Sequence, residues 1–168
     1  ASDVYKRQEL LRQSNLLVGK TLAEVAKLVK PGVTTRELDK VAEEIIRDHG
    51  ATPTFKGFPN QYGEPFPASI CTSVNEQVVH GIPDKKNILK DGDIISLDTG
   101  VIYKGYQSDA ARTHAVGEIS PEDQKLIDVT KQSFFEGMKM AKAGNHLYDI
   151  SKAIQNYAES NGFSVVRE

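Results

Sequence analysis

Hydrophobic residues recur every three or four positions near the start of the chain, which predicts two amphipathic helices. We expect the first helix from about Glu9 to Val29 and the second from Thr34 to His49. At the start of the second helix, the letters T-T-R-E predict a capping box between Thr34 and Glu37. The same periodicity returns later in the chain and predicts two further helices, over residues 121–143 and 148–161.

Residues 51–116 change to the alternating, β-branched pattern that is typical of strands. Three strands are predicted here, at Ser69–Val74, Asp93–Tyr103 and Tyr106–Val116. Lys104-Gly105 offers a two-residue turn between the last two strands, which would make them an antiparallel hairpin. Predicted helices therefore precede and follow the predicted strands along the chain.

A shift of 112 residues aligns the second pair of predicted helices with the first pair. Lys30-Pro31-Gly32 falls on Lys142-Ala143-Gly144, and Gly50 falls on Gly162. Because the apolar stripes and helix lengths also agree without a gap, we expect two halves of related architecture.

The two ends of the chain depart from this pattern. Residues 1–8 lack an initiator Met and resemble a translated transposon end, so we expect them to be a non-native addition. The second copy stops at Glu168, where its strands would begin. We therefore expect residues 9–168 to be an incomplete catalytic domain, with a first half at about 9–117 and the start of a second half at about 118–168.

Composition and charge exclude several classes of protein. The 21 Lys and Arg nearly balance the 23 Asp and Glu, giving a net charge of −2, and no basic cluster points to a nucleic-acid site. No apolar run approaches the length of a membrane span, so we expect no membrane partner. A single cysteine, Cys71, excludes an internal disulfide framework and favours the reducing cytoplasm.

Two aspartates, Asp98 and Asp109, lie on the two arms of the predicted hairpin. With Lys104-Gly105 at the turn, Asp98 faces Ala111, and Asp109 is two positions away on the same face of the sheet. Such a diagonal pair is roughly 7–8 Å apart, within reach of a shared ion. Two converging carboxylates repel each other unless a proton or a cation lies between them.

This spacing leaves three interpretations open. A lone Asp near a hairpin is often a turn residue. Paired carboxylates can bridge two divalent ions that lie roughly 3.5–4 Å apart. They can also act as the acid and base of a glycosidase, at separations of roughly 5–9.5 Å.

The longer motifs carry a specific resemblance. The stretches C-T-S-V-N-E-Q-V-V-H-G-I-P, K-D-G-D-I-I-S-L-D-T-G and G-Y-Q-S-D-A-A-R-T-H-A-V-G resemble bacterial type I methionine aminopeptidases. The stretches K-P-G-V-T-T-R-E-L-D, F-K-G-F and G-F-S-V-V-R-E resemble the same family. The resemblance implies the α/β (α+β) fold class and a pita-bread fold, in which two pseudo-symmetric halves enclose a dinuclear metal site. This agrees with the 112-residue repeat, and the chain would contain the first half and the opening helices of the second.

The resemblance also implies a role for five residues. Asp98 would bind one divalent metal ion, and Asp109 would bridge two ions of Co, Mn, Fe or Zn. His80, from V-H-G-I-P, would contact the substrate and assist the reaction at the scissile amide. Phe58 and Cys71 match the positions that line the pocket for the methionine side chain.

The sequence departs from the family pattern in two places. The stretch N-Q-Y-G-E-P-F at residues 60–66 lengthens the pocket loop, so Tyr62 or Phe66 could take the place of Phe58. The remaining family ligands, one His and two Glu, would follow Glu168. We therefore expect the 168-residue chain by itself to bind metal weakly and to be inactive.

The predicted function of the parent protein is metal-dependent removal of N-terminal methionine. Its expected partners are Met-peptides and nascent chains, with the ribosome as a further candidate, and the parent is expected to be a monomer. Two alternatives remain: a proline-directed aminopeptidase or dipeptidase of the same fold, and a non-catalytic pita-bread binding protein.

Overall fold

The computed structural model describes residues 2–61 and 63–167, and it divides the chain into two compact units, Ala1–Ile119 and Ser120–Glu168. The first unit contains α1 (Ser2–Ala26), α2 (Thr35–Asp48), β1 (Thr52–Pro53), β2 (Ile70–Val74), β3 (Ile94–Tyr103) and β4 (Tyr106–Ala115). The second unit contains α3 (Pro121–Met138) and α4 (Leu147–Ser160). In the part of the chain that the structure describes, no helix is both long and apolar enough to cross a membrane.

The sheet of the first unit is antiparallel and is organised around β3, to which β1, β2 and β4 all pair. The β3–β4 hairpin has the predicted register: Asp98 pairs with Ala111, and Tyr103 pairs with Tyr106 across the turn. Lys104 and Gly105 have φ of 49° and 83°, as a tight two-residue hairpin turn requires.

Alternate residues of β3 build the core of this unit. Ile95, Leu97 and Val101 are completely buried, and they pack with apolar residues of the helices such as Leu22 and Ile46. Because successive side chains of a strand point to opposite faces, Asp98 belongs to the face that this core does not use. The core therefore fixes the plane of the sheet and leaves its other face for the carboxylates.

Helix α2 begins with the predicted capping box. The Glu37 N–H donates to Thr34 Oγ1 (3.2 Å), and the Thr34 N–H donates to Glu37 Oε2 (2.7 Å). One face of the helix is buried, with Leu38, Ala42 and Ile46 completely buried. The cap and the apolar stripe together place the start of α2 within a residue of the prediction.

The predicted bounds of two other helices were wrong. Helix α1 already includes residues 2–8, and it ends at Ala26 rather than Val29 because a short turn precedes Pro31, with the Val29 N–H donating to Ala26 O. Helix α3 ends at Met138 rather than residue 143, because the N–H groups of Met140 and Ala141 donate to carbonyl groups three residues earlier and not four.

The second unit is a pair of helices that pack against each other. Ser120 caps α3 by accepting the Asp123 N–H (3.0 Å), and Pro121 occupies the first helical position. A Cβ at Gly137 would lie 2.6 Å from Ile154 Cγ1, so this glycine allows the two helices to approach closely.

Candidate metal and substrate site

Three strands place the candidate metal site on one face of the sheet. Cys71 on β2 pairs with Asp98 on β3, which pairs in turn with Ala111 on β4. Asp109 precedes Ala111 by two positions and therefore shares its face. The structure thus brings together Asp98, Asp109 and Cys71, three of the five residues singled out from the sequence.

The two carboxylates lie close enough to perturb each other. Burial is the main cause that raises the pKa of Asp98 to about 6, and the charge and hydrogen bond of Asp109 raise it further. His80 acts in the opposite direction, which places its imidazole within electrostatic reach of Asp98. Burial and a neighbouring like charge both disfavour the charged form of Asp98.

The donor set fits a divalent cation. Asp98 Oδ1 is buried and has no hydrogen-bond partner, although buried carboxylate oxygens are normally satisfied. Carboxylate oxygens are ligands that hard divalent ions accept, and an ion between Asp98 and Asp109 would remove their repulsion. Across residues 2–61 and 63–167, no group of three or more His, Cys, Asp or Glu side chains converges as a full ligand set.

Cys71 lies beside the carboxylates and presents an uncharged thiol to them. Its side chain is buried, and burial followed by the charges of Asp98 and Asp109 raises the pKa of the thiol to about 12. The thiol therefore stays protonated near neutral pH, so it offers a small apolar surface and not a nucleophile.

His80 lies in the exposed loop between β2 and β3 and has a φ of 60°, in the left-handed region. This conformation is uncommon outside glycine. The next residue, Gly81, is attached to β2: its N–H donates to Ser73 Oγ (3.1 Å), and its carbonyl accepts the Thr72 N–H (2.8 Å). The loop that carries His80 is therefore tied to the strand that carries Cys71.

The aromatic residues of the long loop do not form one cluster around Phe58. Phe58 is 62% exposed, whereas Phe55 and Phe66 pack edge to face with their ring centroids 6.4 Å apart. Backbone bonds close the loop, from Gly57 N–H to Phe66 O (2.8 Å) and from Phe66 N–H to Phe58 O (3.0 Å). Tyr62, the other alternative for the pocket, lies outside the described residues.

Sequence reasoning missed one buried carboxylate that supports the site. Asp39 on α2 is 2% exposed, and its Oδ1 accepts the N–H groups of Ser69 (2.7 Å) and Ile70 (3.1 Å). These bonds fix the start of β2, directly before Cys71. The available signal was an acidic residue directly after Leu38 on the apolar stripe of α2.

The sequence is similar to a known protein family and to several curated proteins. The profile of metallopeptidase family M24 matches residues 9–168. A methionine aminopeptidase of Clostridium acetobutylicum is 56% identical over 160 residues, and one of Clostridium perfringens is 54% identical; both alignments cover 95% of this chain. The chain spans about 62% of the length of these curated relatives.

A solved structure supports the fold assignment. The crystal structure of methionine aminopeptidase from Rickettsia prowazekii matches with a TM-score of 0.90 at 38% identity, over 98% of this chain and 64% of that chain. The predicted pita-bread fold class is thereby confirmed.

Proposed function

Because the chain belongs to metallopeptidase family M24, we propose that the protein removes N-terminal methionine from peptides and nascent chains. The observation that carries this proposal is the carboxylate pair: Asp98 and Asp109 share one face of the sheet, with a buried Asp98 oxygen that lacks a partner. We further propose that the protein acts in the cytoplasm and meets nascent chains at the ribosome.

The proposed metal ligands in this chain are Asp98, for one ion, and Asp109, for both ions of a dinuclear site. Co, Mn, Fe and Zn are the candidate metals. Divalent ions bound there would supply Lewis acidity that activates water and polarises the scissile carbonyl. Strands β3 and β4 are adjacent, and their register holds the two carboxylates at a fixed spacing.

Three further residues are proposed to contact the substrate. His80 is proposed to donate a hydrogen bond to the substrate at the scissile amide, from a loop whose downstream end is tied to β2. Cys71, with its protonated thiol, is proposed to contact the methionine side chain, since a polarisable apolar thioether packs well against an uncharged sulfur. Phe58 is proposed as the aromatic member of that pocket, and its exposure in the structure leaves it free to contact a substrate.

The test uses the protein as its gene encodes it, loaded with each candidate metal and supplied with a Met-Ala-Ser peptide. We expect release of free methionine, and we expect Asp109→Asn to lower kcat/KM by about 100-fold or more because it removes a bridging ligand. Asp128→Asn, the same substitution on the exposed surface of α3, should stay within about twofold of wild type.

The same assay separates the alternatives. Cleavage of an Ala-Pro peptide with Met-Ala-Ser left intact would identify a proline-directed peptidase. Binding of both peptides without cleavage under every metal would identify a non-catalytic binding protein. Full turnover by Asp109→Asn would show that the metal ligands have been assigned to the wrong residues.

A further inference from the structure

The loop that carries His80 is anchored at its upstream end by Asn75. Asn75 leaves β2 with a φ of 52°, and its N–H donates to Ile94 O (3.0 Å). Its side chain also accepts the Ile94 N–H (3.0 Å) and donates to Asp93 Oδ1 (2.9 Å). Three bonds to the start of β3 therefore fix where the loop begins.

The downstream end of the loop is anchored at Gly81, on the edge of β2 that faces away from β3. Gly81 approaches this edge so closely that a Cβ would lie 2.1 Å from Thr72 O and 2.9 Å from Ser73 Cα. No side chain fits at that distance, so the position requires glycine. The close approach brings the Gly81 N–H within hydrogen-bond distance of a side chain of β2.

That side chain is Ser73, whose Oγ accepts the Gly81 N–H at 3.1 Å. Ser73 is 4% exposed, and it lies two positions after Cys71, so its hydroxyl is on the same face as Asp98. Because Gly81 is buried too, its N–H has little access to water as a substitute acceptor. The bond therefore controls the peptide unit that joins His80 to Gly81.

We propose that Ser73 is a positioning residue for His80. By fixing the Gly81 N–H, it holds the peptide unit that follows His80, and so fixes ψ of His80, a residue whose φ of 60° is already in the left-handed region. Without this bond, the His80–Gly81 peptide can rotate, and the backbone of His80 can then leave its left-handed conformation, which turns its imidazole away from Asp98. The inference rests on the proposed function, in which His80 contacts the substrate.

Ser96 offers a matched control for removing the hydroxyl. It pairs directly with Ser73 in the sheet and lies on the same face, but its hydroxyl bonds to Thr113 Oγ1 (2.8 Å) and not to the loop. We expect Ser73→Ala to lower kcat about tenfold with KM changed less than about twofold, because a misplaced group acts mainly on the transition state. Ser96→Ala should change neither parameter by more than about twofold.

Two further variants separate positioning from general damage. Ser73→Thr restores a hydroxyl at the same position and should recover most of kcat. In the His80→Ala background, adding Ser73→Ala should cause little further loss, because Ser73 acts through His80. Independent losses that multiply in the double variant would overturn the proposal.

Measurements that need no turnover complete the test. We expect the Gly81 amide to exchange with solvent about tenfold faster in Ser73→Ala, and the His80 ring signals in NMR spectra to shift in that variant but not in Ser96→Ala. Faster exchange at Gly81 with unchanged His80 signals and unchanged kcat would overturn the proposal. If the wild-type protein cleaves no Met-peptide under any metal, the proposed function fails, and the exchange rates and ring signals still decide whether Ser73 positions His80.

Discussion

The two faces of strand β3 use the same backbone for different purposes. On the face toward the helices, Ile95, Leu97 and Val101 are completely buried in apolar surroundings. On the opposite face, Asp98 keeps a buried oxygen without a partner, beside the carboxylate of Asp109. Burial of the apolar side chains stabilises the folded protein, whereas burial of a carboxylate oxygen without a hydrogen-bond partner destabilises it.

The difference shows how a small sheet can be both stable and reactive. Because side chains alternate along a strand, a complete core on one face holds the backbone in place while unfavourable groups gather on the other. Neighbouring residues of β3 should therefore respond to substitution in opposite ways.

Leu97→Ala should have the largest effect on stability. Leu97 is completely buried in the main core cluster, so its truncation removes apolar contacts and leaves a cavity. We expect the free energy of unfolding to fall by about 3 kcal/mol, measured by urea denaturation. Leu16→Ala, at a residue that is 58% exposed, is the control and should change it by less than about 1 kcal/mol. Equal losses in both variants would mean that the helix side of β3 is not the main core.

Asp39→Ala should destabilise the protein by about 2 kcal/mol, since it leaves the buried N–H groups of Ser69 and Ile70 without their acceptor. Asp39→Asn keeps one carbonyl oxygen in place and should lose less. Because Asp39 fixes β2 beside the site, the amides of Ser69 and Ile70 should also exchange faster with solvent. Unchanged exchange at both amides would show that β2 is held in place by its pairing to β3 alone.

Local signals in the sequence were enough to predict part of this arrangement. The two-residue turn at Lys104-Gly105 sets the hairpin register, and the register alone places Asp98 and Asp109 on one face. The capping box at Thr34 likewise depends on residues three positions apart. These features were predictable because each is decided within a few residues.

The supporting contacts of the site could not be predicted in this way. The Asp39 carboxylate binds backbone groups thirty residues away, and the Ser73 hydroxyl binds Gly81 only because the loop returns to the edge of β2. Neither residue type indicates its partner, since Asp and Ser are common on exposed surfaces. The ends of α1 and α3 were also predicted wrongly. The apolar periodicity of the sequence continues through the tight turns that follow the last helical residue, so the sequence does not show where the helix stops.

The pKa of Glu43, on α2, is lowered, in contrast to the raised pKa of Asp98. The hydrogen bond from Lys56, opposed by burial and assisted by Arg47, lowers the pKa of Glu43 from 4.5 to about 2. A lowered pKa means that the folded protein favours the charged form, so this contribution is present above about pH 4.5 and is lost as the pH falls toward 2.

We therefore expect the stability advantage of wild type over Glu43→Gln to shrink by about 2 kcal/mol between pH 5 and pH 2. Urea denaturation at several pH values measures it. Glu44→Gln, at the exposed neighbouring position, should show a much smaller change over the same range. If the two variants follow the same pH profile, the Lys56–Glu43 pair does not stabilise the fold.

Asp98→Asn should have the smallest effect, and the opposite sign to Leu97→Ala. In protein stripped of metal by a chelator, the amide removes the repulsion with Asp109 and can donate to it, so we expect a gain of about 1 kcal/mol in the free energy of unfolding. Added divalent metal should reverse the order, because it stabilises the wild type more than a variant that has lost a ligand. Denaturant midpoints with and without metal measure both effects. If metal-free Asp98→Asn is destabilised as strongly as Leu97→Ala, then Asp98 is a structural residue and the two faces of β3 do not differ in the way proposed.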